Sequence, residues 1–417
     1  MTPRGRIIVF VGIALAIGVA VGSRFRGQPE VSDANEEEEC GARVTKEELE
    51  RSVAIGTQFM IAHQKPAGNF DYEYDWKTKQ YSNDDNSARQ SGALWGLSLL
   101  HAFAGADKAS PELEAALGRG LAYFDDASRT TQDGWRYPVY PAGEDGGADG
   151  GATGSAPIGT AALVTLAVLD YVRSLPASDQ VERPRWAKRA DEYVGFLATS
   201  IRKDGTWPGE YRFETGAGAG AHSPYSDGEA LLALVTAMKY HGRDDLRPVI
   251  LRAAIEGHRV NVEQARAKNA DSATTKGYYQ WSSMAYYELA TSAMGEAPDA
   301  PPYGEWLMDL ADWIIDVHRI VGRPRNTGYA YEGIVSALAW AKAKKDPRAD
   351  KLACTTHRGL SNLLGWQVGH PRADKLGATD DPKAVGGVQN HATESPLRID
   401  VVQHQMHATM LAIEHLF

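Results

Sequence analysis

Cysteine is almost absent: Cys40 and Cys354 are the only two in 417 residues. So distant a pair makes no CxxC, no zinc ribbon and no disulfide framework, so a metal- or disulfide-stapled fold is not expected. Cations are in deficit too, with 44 Lys and Arg against 54 Asp and Glu and a formal net charge of −10. A surface that neutralises phosphates needs a clustered excess of positive charge, so nucleic acid is not an expected partner. No glycine-rich loop ends in GK[ST], and Gly216-x-Gly218-x-Gly220 lacks the strand-turn-helix setting of a dinucleotide site; no cofactor is expected. Long apolar runs are equally scarce, with one exception.

That exception is Ile7 to Gly22, 16 apolar or small residues flanked by Arg4 and Arg6 on one side and Arg24 and Arg26 on the other. As a helix it spans roughly 24 Å, short of the roughly 30 Å hydrocarbon core. It can serve as a tight anchor or as a signal-peptide core ending in the small-x-small site Ala20-Val21-Gly22. Residues 1–26 therefore read as a signal anchor or signal peptide. Residues 27–44, with Glu36 to Glu39, read as an acidic linker, and 45–417 as the folded domain. The domain is expected at the cell envelope, membrane-anchored or exported to the periplasmic side, with the membrane a partner only through the N-terminal segment.

What the domain has in abundance is a repeat. Glycine followed by an aromatic recurs at Gly68-Asn69-Phe70, Gly134-Trp135, Gly205-Thr206-Trp207, Gly277-Tyr278 and Gly328-Tyr329, with a degenerate copy at Gly386-Gly387-Val388. Amphipathic stretches precede these sites: 45–63, 112–124, 186–201, 246–262, 303–317 and 348–364. Apolar, small-residue-rich stretches follow them: 93–97, 160–172, 229–240, 284–294, 333–343 and 403–415. A glycine can end a helix in the left-handed region, and a helix apolar on most faces must be buried. Six outer and six inner helices close into a double ring, an all-α (α/α)6 toroid of six helical hairpins. The loops 70–82, 135–140 and 207–213 alternate in the manner of short β-hairpins at the mouth.

The turns Thr131-Gln132-Asp133-Gly134-Trp135 and Arg202-Lys203-Asp204-Gly205-Thr206-Trp207 resemble the Gly-x-Trp turns of terpenoid-cyclase and prenyltransferase-like toroids. The architecture is also similar to six-hairpin glycosidases and polysaccharide-processing enzymes. The resemblance covers 45–417 as a pattern. It implies the fold and leaves the chemistry open, since one fold hosts many activities. The Asp-x-Asp-Asp acid of class II cyclases is missing, and the cysteine that the zinc-dependent toroids need on an inner helix is absent; no metal is expected.

If the loops share one end of the ring, its mouth collects a chemical set. Asp227 and Glu229 open one inner helix, Asp85 and Arg89 another, and Asp400 and His404 the last. Asp227 could equally cap its helix, with Glu229 in the first turn, and Asp85 or Asn86 could cap the other. Asp400, His404 and His407 fall at i, i+4 and i+7, so Asp400 would orient the His404 ring. On this reading Asp227 or Glu229 is the acid, His404 the base and Arg89 the holder of substrate charge. Trp135, Trp207, Tyr211, Tyr225, Tyr279 and Tyr331 would stack on sugar faces. The function expected is a carbohydrate-active enzyme, a hydrolase or a lyase/epimerase acting on a polysaccharide, acidic ones included. The alternatives are a terpenoid cyclase-like enzyme on a small-molecule substrate and a non-catalytic glycan-binding scaffold.

Overall fold

The computed structural model describes residues 40–140, 154–391 and 393–417. The segment expected to meet the membrane lies outside them; among the described residues no helix is long and apolar enough to cross a membrane. Six outer helices are α1 (Lys46–Ala62), α3 (Pro111–Asp126), α5 (Glu182–Ser200), α7 (Arg247–His258), α10 (Tyr303–Asp312) and α12 (Ala349–Leu364). A π turn, Arg259–Glu263, and the short α8 (Gln264–Lys268) prolong α7, and a second π turn, Trp313–Val317, prolongs α10. The inner helices are α2 (Ser87–Ala104), α4 (Ile158–Ser174), α6 (Pro224–His241), α9 (Ala273–Ala290), α11 (Gly328–Lys344) and α13 (Ile399–His415).

Burial separates the two sets as the hydrophobic pattern requires. Fourteen of the 17 residues of α4 are buried, against seven of the 16 of α12, whose apolar stripe faces one neighbour. Each inner helix packs on the next, and α13 returns to α2, so the inner ring closes. Small residues allow the close approach: a Cβ on Gly228 of α6 would lie 2.6 Å from the Cβ of Trp281 on α9.

Three repeats share one turn. After α1, α3 and α5 the chain folds back through Lys65 N to Asn69 O, Thr131 N to Trp135 O and Arg202 N to Thr206 O at 2.7–2.8 Å. Gly68, Gly134 and Gly205 stand at φ +110°, +87° and +84°, where a Cβ is strained. Gly277 and Gly328 correct the expected repeat. They lie inside or at the start of the inner helices α9 and α11, not in turns. Two of the three outer helices without that turn, α7 and α10, run on into π turns instead.

Three small sheets sit on the mouth side. Strands β1 (Glu73–Asp75), β2 (Gln80–Tyr81), β3 (Ser128–Thr130), β4 (Arg136–Pro138), β5 (Ser155–Pro157), β6 (Glu210–Arg212), β7 (Ala217–Ala219) and β8 (Pro396–Arg398) pair antiparallel as β2-β1-β8, β3-β4 and β5-β6-β7. The glycine-rich 217–219 thus forms an edge strand, β7. β1 pairing with β8 joins the first repeat to the last. Ser52 and Gln367 exchange two hydrogen bonds, 2.6 and 3.1 Å, across the same seam.

The cysteines also correct an expectation. Cys40 and Cys354 form a disulfide, with Cα atoms 5.2 Å apart, tying the entry of the chain to α12. Residues 314 apart in sequence are adjacent because the ring closes there. The compact unit begins at Cys40 rather than at residue 45. Val44 is buried and its N–H meets His357 Nδ1, so the end of the expected linker is part of the fold.

Candidate functional site

Inner-helix starts share the mouth, and a cavity of about 590 Å³ opens there. Arg89 of α2, Tyr225 of α6, Lys276 and Gln280 of α9, and Asp400 and His404 of α13 line it, together with the loop 323–327 and Arg398. Its charged lining is lopsided for an acidic chain. Arg89, Lys276, Arg323, Arg325 and Arg398 face a single lining carboxylate, Asp400.

Asp400 is held by both neighbouring arginines. Arg398 donates to its two oxygens at 3.0 and 2.5 Å, and Arg89 Nε lies 3.3 Å away. Arg89 also donates to the Tyr72 hydroxyl. Burial alone would raise the Asp400 carboxyl, but the Arg398 hydrogen bonds and the two guanidinium charges take it below the ordinary value. It is a permanently ionised brace, not an acid. Arg323 is partly engaged, by the His318 carbonyl and by Asp271 at 3.5 Å. Arg325 meets Glu394 at 3.3 Å. Among the described residues Lys276 has no ion-pair partner; it lies 5.6 Å from the centre of the Tyr329 ring, and burial and Arg323 depress its pKa against the smaller opposing pull of Asp271.

Behind this lining is a histidine–carboxylate pair. His404 Nδ1 lies 3.1 Å from Oε1 of Glu332, a fully buried residue on α11. Gln280 donates to the other carboxylate oxygen at 2.5 Å. Glu332, held below the ordinary carboxylate value, can only accept, so the Nδ1 proton is assigned to it; the Gln280 amide nitrogen, 3.1 Å from the same Nδ1, then donates to the carboxylate alone. With that assignment Nε2 is left without a protein partner among the described residues. Burial would lower the His404 pKa, but the Glu332 carboxylate more than offsets it and the net shift is upward. Burial would likewise raise Glu332, and the two histidines His404 and His407 reverse it. The expected orienter, Asp400, is therefore replaced by Glu332. Asp400 turns to the arginines because a guanidinium offers a two-pronged match to a carboxylate that an imidazole does not.

Glu229 is also buried, with Oε2 unpartnered and packed where a Cβ on Gly159 would come within 2.6 Å. Desolvation pushes its pKa up to about 8, partly countered by His404. It is a neutral carboxylic acid at neutral pH.

The other expected site residues lie elsewhere. Asp227 does not cap α6, whose N-cap is Ser223. It accepts from Trp207 N at 2.9 Å and Asn261 Nδ2 at 3.1 Å and meets His222 Nδ1 at 2.8 Å, clamping the Gly205 turn to the π turn that carries Asn261. Asp85 accepts from Tyr140, Gln90 and its neighbour Asn86, while Asn86 is the N-cap of α2. Trp207, Tyr279 and Tyr331 are sealed in the core at 0–1% exposure, so they offer no face to a sugar. Trp135 packs over Gly195, and Tyr211 packs among Tyr137 and Phe196. Only Tyr225, 51% exposed, stands open at the rim.

Gln280 and Lys276 were hidden in the sequence by reading Gly277-Tyr278 as a turn. A helix starting at Ala273 puts them at i and i+4 on one face. Among the described residues no group of three or more His, Cys, Asp or Glu is placed to hold a metal ion.

No protein-family profile and no curated protein matches the chain. Solved structures do. Cellobiose 2-epimerase from Spirochaeta thermophila superposes with a TM-score of 0.59 at 15% identity, covering 93% of this chain and 99% of that one. A GH76 α-mannanase from Bacteroides thetaiotaomicron gives 0.57 at 11%, covering 88% and 95%. An unsaturated glucuronyl hydrolase specific for heparin gives 0.56 at 11%, covering 89% and 100%. These neighbours are all members of the (α/α)6 six-hairpin glycosidase-like superfamily, and the likeness shows that the chain has this fold.

Proposed function

We propose that this protein is a carbohydrate-active enzyme that acts on an acidic polysaccharide by proton transfer at His404. The observation that carries the reading is the cleft's charge. In a chain of net charge −10, five cations and one braced carboxylate line the cavity. Six inner-helix N-termini point to the same end and add positive potential. A uronate carboxylate seated against Lys276 and Arg323 would be neutralised there. That withdraws electrons from the adjacent C–H and stabilises the charge that develops when a base removes its proton. His404, with Nε2 toward the cleft and Nδ1–H held by Glu332, is that base, so the lining favours lyase or epimerase chemistry. A hydrolase is the second reading, supported by Glu229, a buried neutral carboxylic acid beside His404. The polar, cationic lining is unlike the apolar aromatic cavity a terpenoid cyclase needs. The disulfide supports export, because such bonds persist in oxidising compartments; a place at the cell envelope, anchored or released by residues 1–26, belongs to the same proposal.

The test is incubation of residues 40–417 with acidic and neutral bacterial polysaccharides, following unsaturated products by absorbance, C–H exchange by NMR in deuterated water, and new reducing ends. Unsaturation or exchange on acidic substrates is the expected result. Turnover of neutral glycans alone, or binding without turnover, would overturn it.

A further inference from the structure

The ring has a second cavity, about 440 Å³, at the end where the inner helices finish. Phe103, Arg173, Lys239, Glu288 and His415 line its outer part, and Trp95 and His407, from the middle of α2 and α13, line it too. The mouth cleft and this far cavity therefore each have a histidine of α13, one turn apart. Between the two stands Glu332, 0% exposed. His404 Nδ1 and His407 Nδ1 approach the same oxygen of it, Oε1, at 3.1 and 3.5 Å.

Glu332 does not need the second histidine. Gln280 and His404 already satisfy its two oxygens. His407 Nδ1 is buried and, among the described residues, makes no hydrogen bond beyond its 3.5 Å approach to Glu332 Oε1. In the tautomer with its proton on Nε2, an imidazole beside a carboxylate oxygen presents Nδ1 as an acceptor to it. The groups around the pair add no competing partner. His404 has Asp400 and Arg398 near it, and Glu229 beyond. His407 meets the edge of Trp95 at 5.0 Å, and the nearest charges of the far cavity are paired, Arg173 with Asp170 and Lys239 with Glu288.

We propose that Glu332 and His407 form a proton relay that connects His404 in the cleft to water in the far cavity. The proposal rests on the reading of His404 as the acid–base group. A polysaccharide in the cleft excludes water from Nε2, so a proton taken there has to leave by another side. His404 takes the substrate proton on Nε2 and passes its Nδ1 proton to Glu332 Oε1. Glu332 passes that proton to His407 Nδ1, and His407 releases its own Nε2 proton to far-cavity water. Only N–H and O–H bonds form and break, no electrons are transferred, and the reverse sequence returns the proton and resets both tautomers. Glu332 and His407 are positioning residues on this account, since neither touches substrate.

The relay is tested on the full chain with 15N-labelled histidine, by the rate at which the His404 Nδ1 proton exchanges with water. This needs no substrate. His407→Gln should slow that exchange several-fold with thermal unfolding little changed. His407→Gly should be slow as well and recover when imidazole, small enough for the far cavity, is added. On a substrate that is turned over, His407→Gln should lower kcat and leave KM. Exchange at the wild-type rate in His407→Gln, or no recovery with imidazole, overturns the relay. Slowed exchange with no turnover of any acidic sugar keeps the relay and overturns the function it was attached to. If His407→Gln does not fold, the glycine variant with and without imidazole decides alone.

Discussion

The two ends of the ring hold charges in opposite ways. At the far end both cations have a close carboxylate: Arg173 with Asp170 at 3.0 Å and Lys239 with Glu288 at 2.6 Å, with the Tyr240 hydroxyl on that same glutamate. At the mouth the one lining carboxylate, Asp400, takes Arg89 and Arg398, Arg323 and Arg325 reach Asp271 and Glu394 outside the lining, and Lys276 has no ion pair among the described residues. The helices explain part of the asymmetry. Inner-helix C-termini favour the cations Arg173 and Lys239, whereas N-termini disfavour Lys276 and Arg89. A cation placed against the helix dipole without an ion pair, as Lys276 is, costs the fold, and that cost is what the proposed anionic substrate would offset. Paired charges at the far end serve the fold.

Substitutions at the base separate the ends most strongly. His404→Ala should lower turnover by about 10²–10⁴-fold, the usual share of a general acid–base group. Glu332→Gln should do nearly as much, since it removes the group that fixes the tautomer. Equal loss of unfolding temperature and activity in His404→Ala would make it a core polar group and break the contrast.

The pH profile is the next test. His404, shifted above 6.5, must be neutral to accept a proton, so activity should fall as pH drops below its raised pKa. If Glu229 donates, activity should also fall as pH rises through about 8. Its stability effect has the same direction: a carboxyl raised above its unfolded value contributes fully below about 4.5 and loses that contribution as pH rises through about 8. Glu229→Gln should remove the alkaline limb and flatten the fall in stability across that window, followed by rate and by thermal melts. A persisting limb assigns it to another group.

Binding should show a smaller difference. Lys276→Met is expected to raise KM for an acidic substrate about tenfold, or about 1.4 kcal/mol, and to weaken its salt dependence. Neutral sugars should be unaffected, and equal loss on both would deny Lys276 an anion. The smallest effect belongs to the far end. Lys239→Met breaks a partly exposed pair and should cost on the order of 1 kcal/mol or less in stability, with KM unchanged.

The local sequence was most legible where one residue type has one physical reason. Glycine at Gly68, Gly134 and Gly205 marked turns because φ there is positive. The hairpin at 70–82 showed in its alternation. The same rule misled at Gly277 and Gly328, where glycine is present because neighbours crowd it: a Cβ there would come within about 3 Å of the Tyr225 ring or of the Gln405 backbone. Crowding has no local signature. The candidate site was half legible for a related reason. Arg89, Asp400, His404 and Tyr225 follow from inner-helix starts sharing one end, while Trp207, Tyr279 and Tyr331 look the same in sequence whether they face a sugar or the core.

By itself, then, the sequence determined the helices, their sorting into outer and inner sets, the six-hairpin ring, and the gathering of inner-helix starts at one mouth. Periodicity and burial are local properties, and closure follows from their number. Partner choice was decided only in three dimensions. Cys40 reaches Cys354, Asp400 meets Arg89, and His404 turns to Glu332 because residues 72 to 314 apart meet when the ring closes. Which of two chemically competent groups then pairs depends on distance and desolvation, and neither is written along the chain.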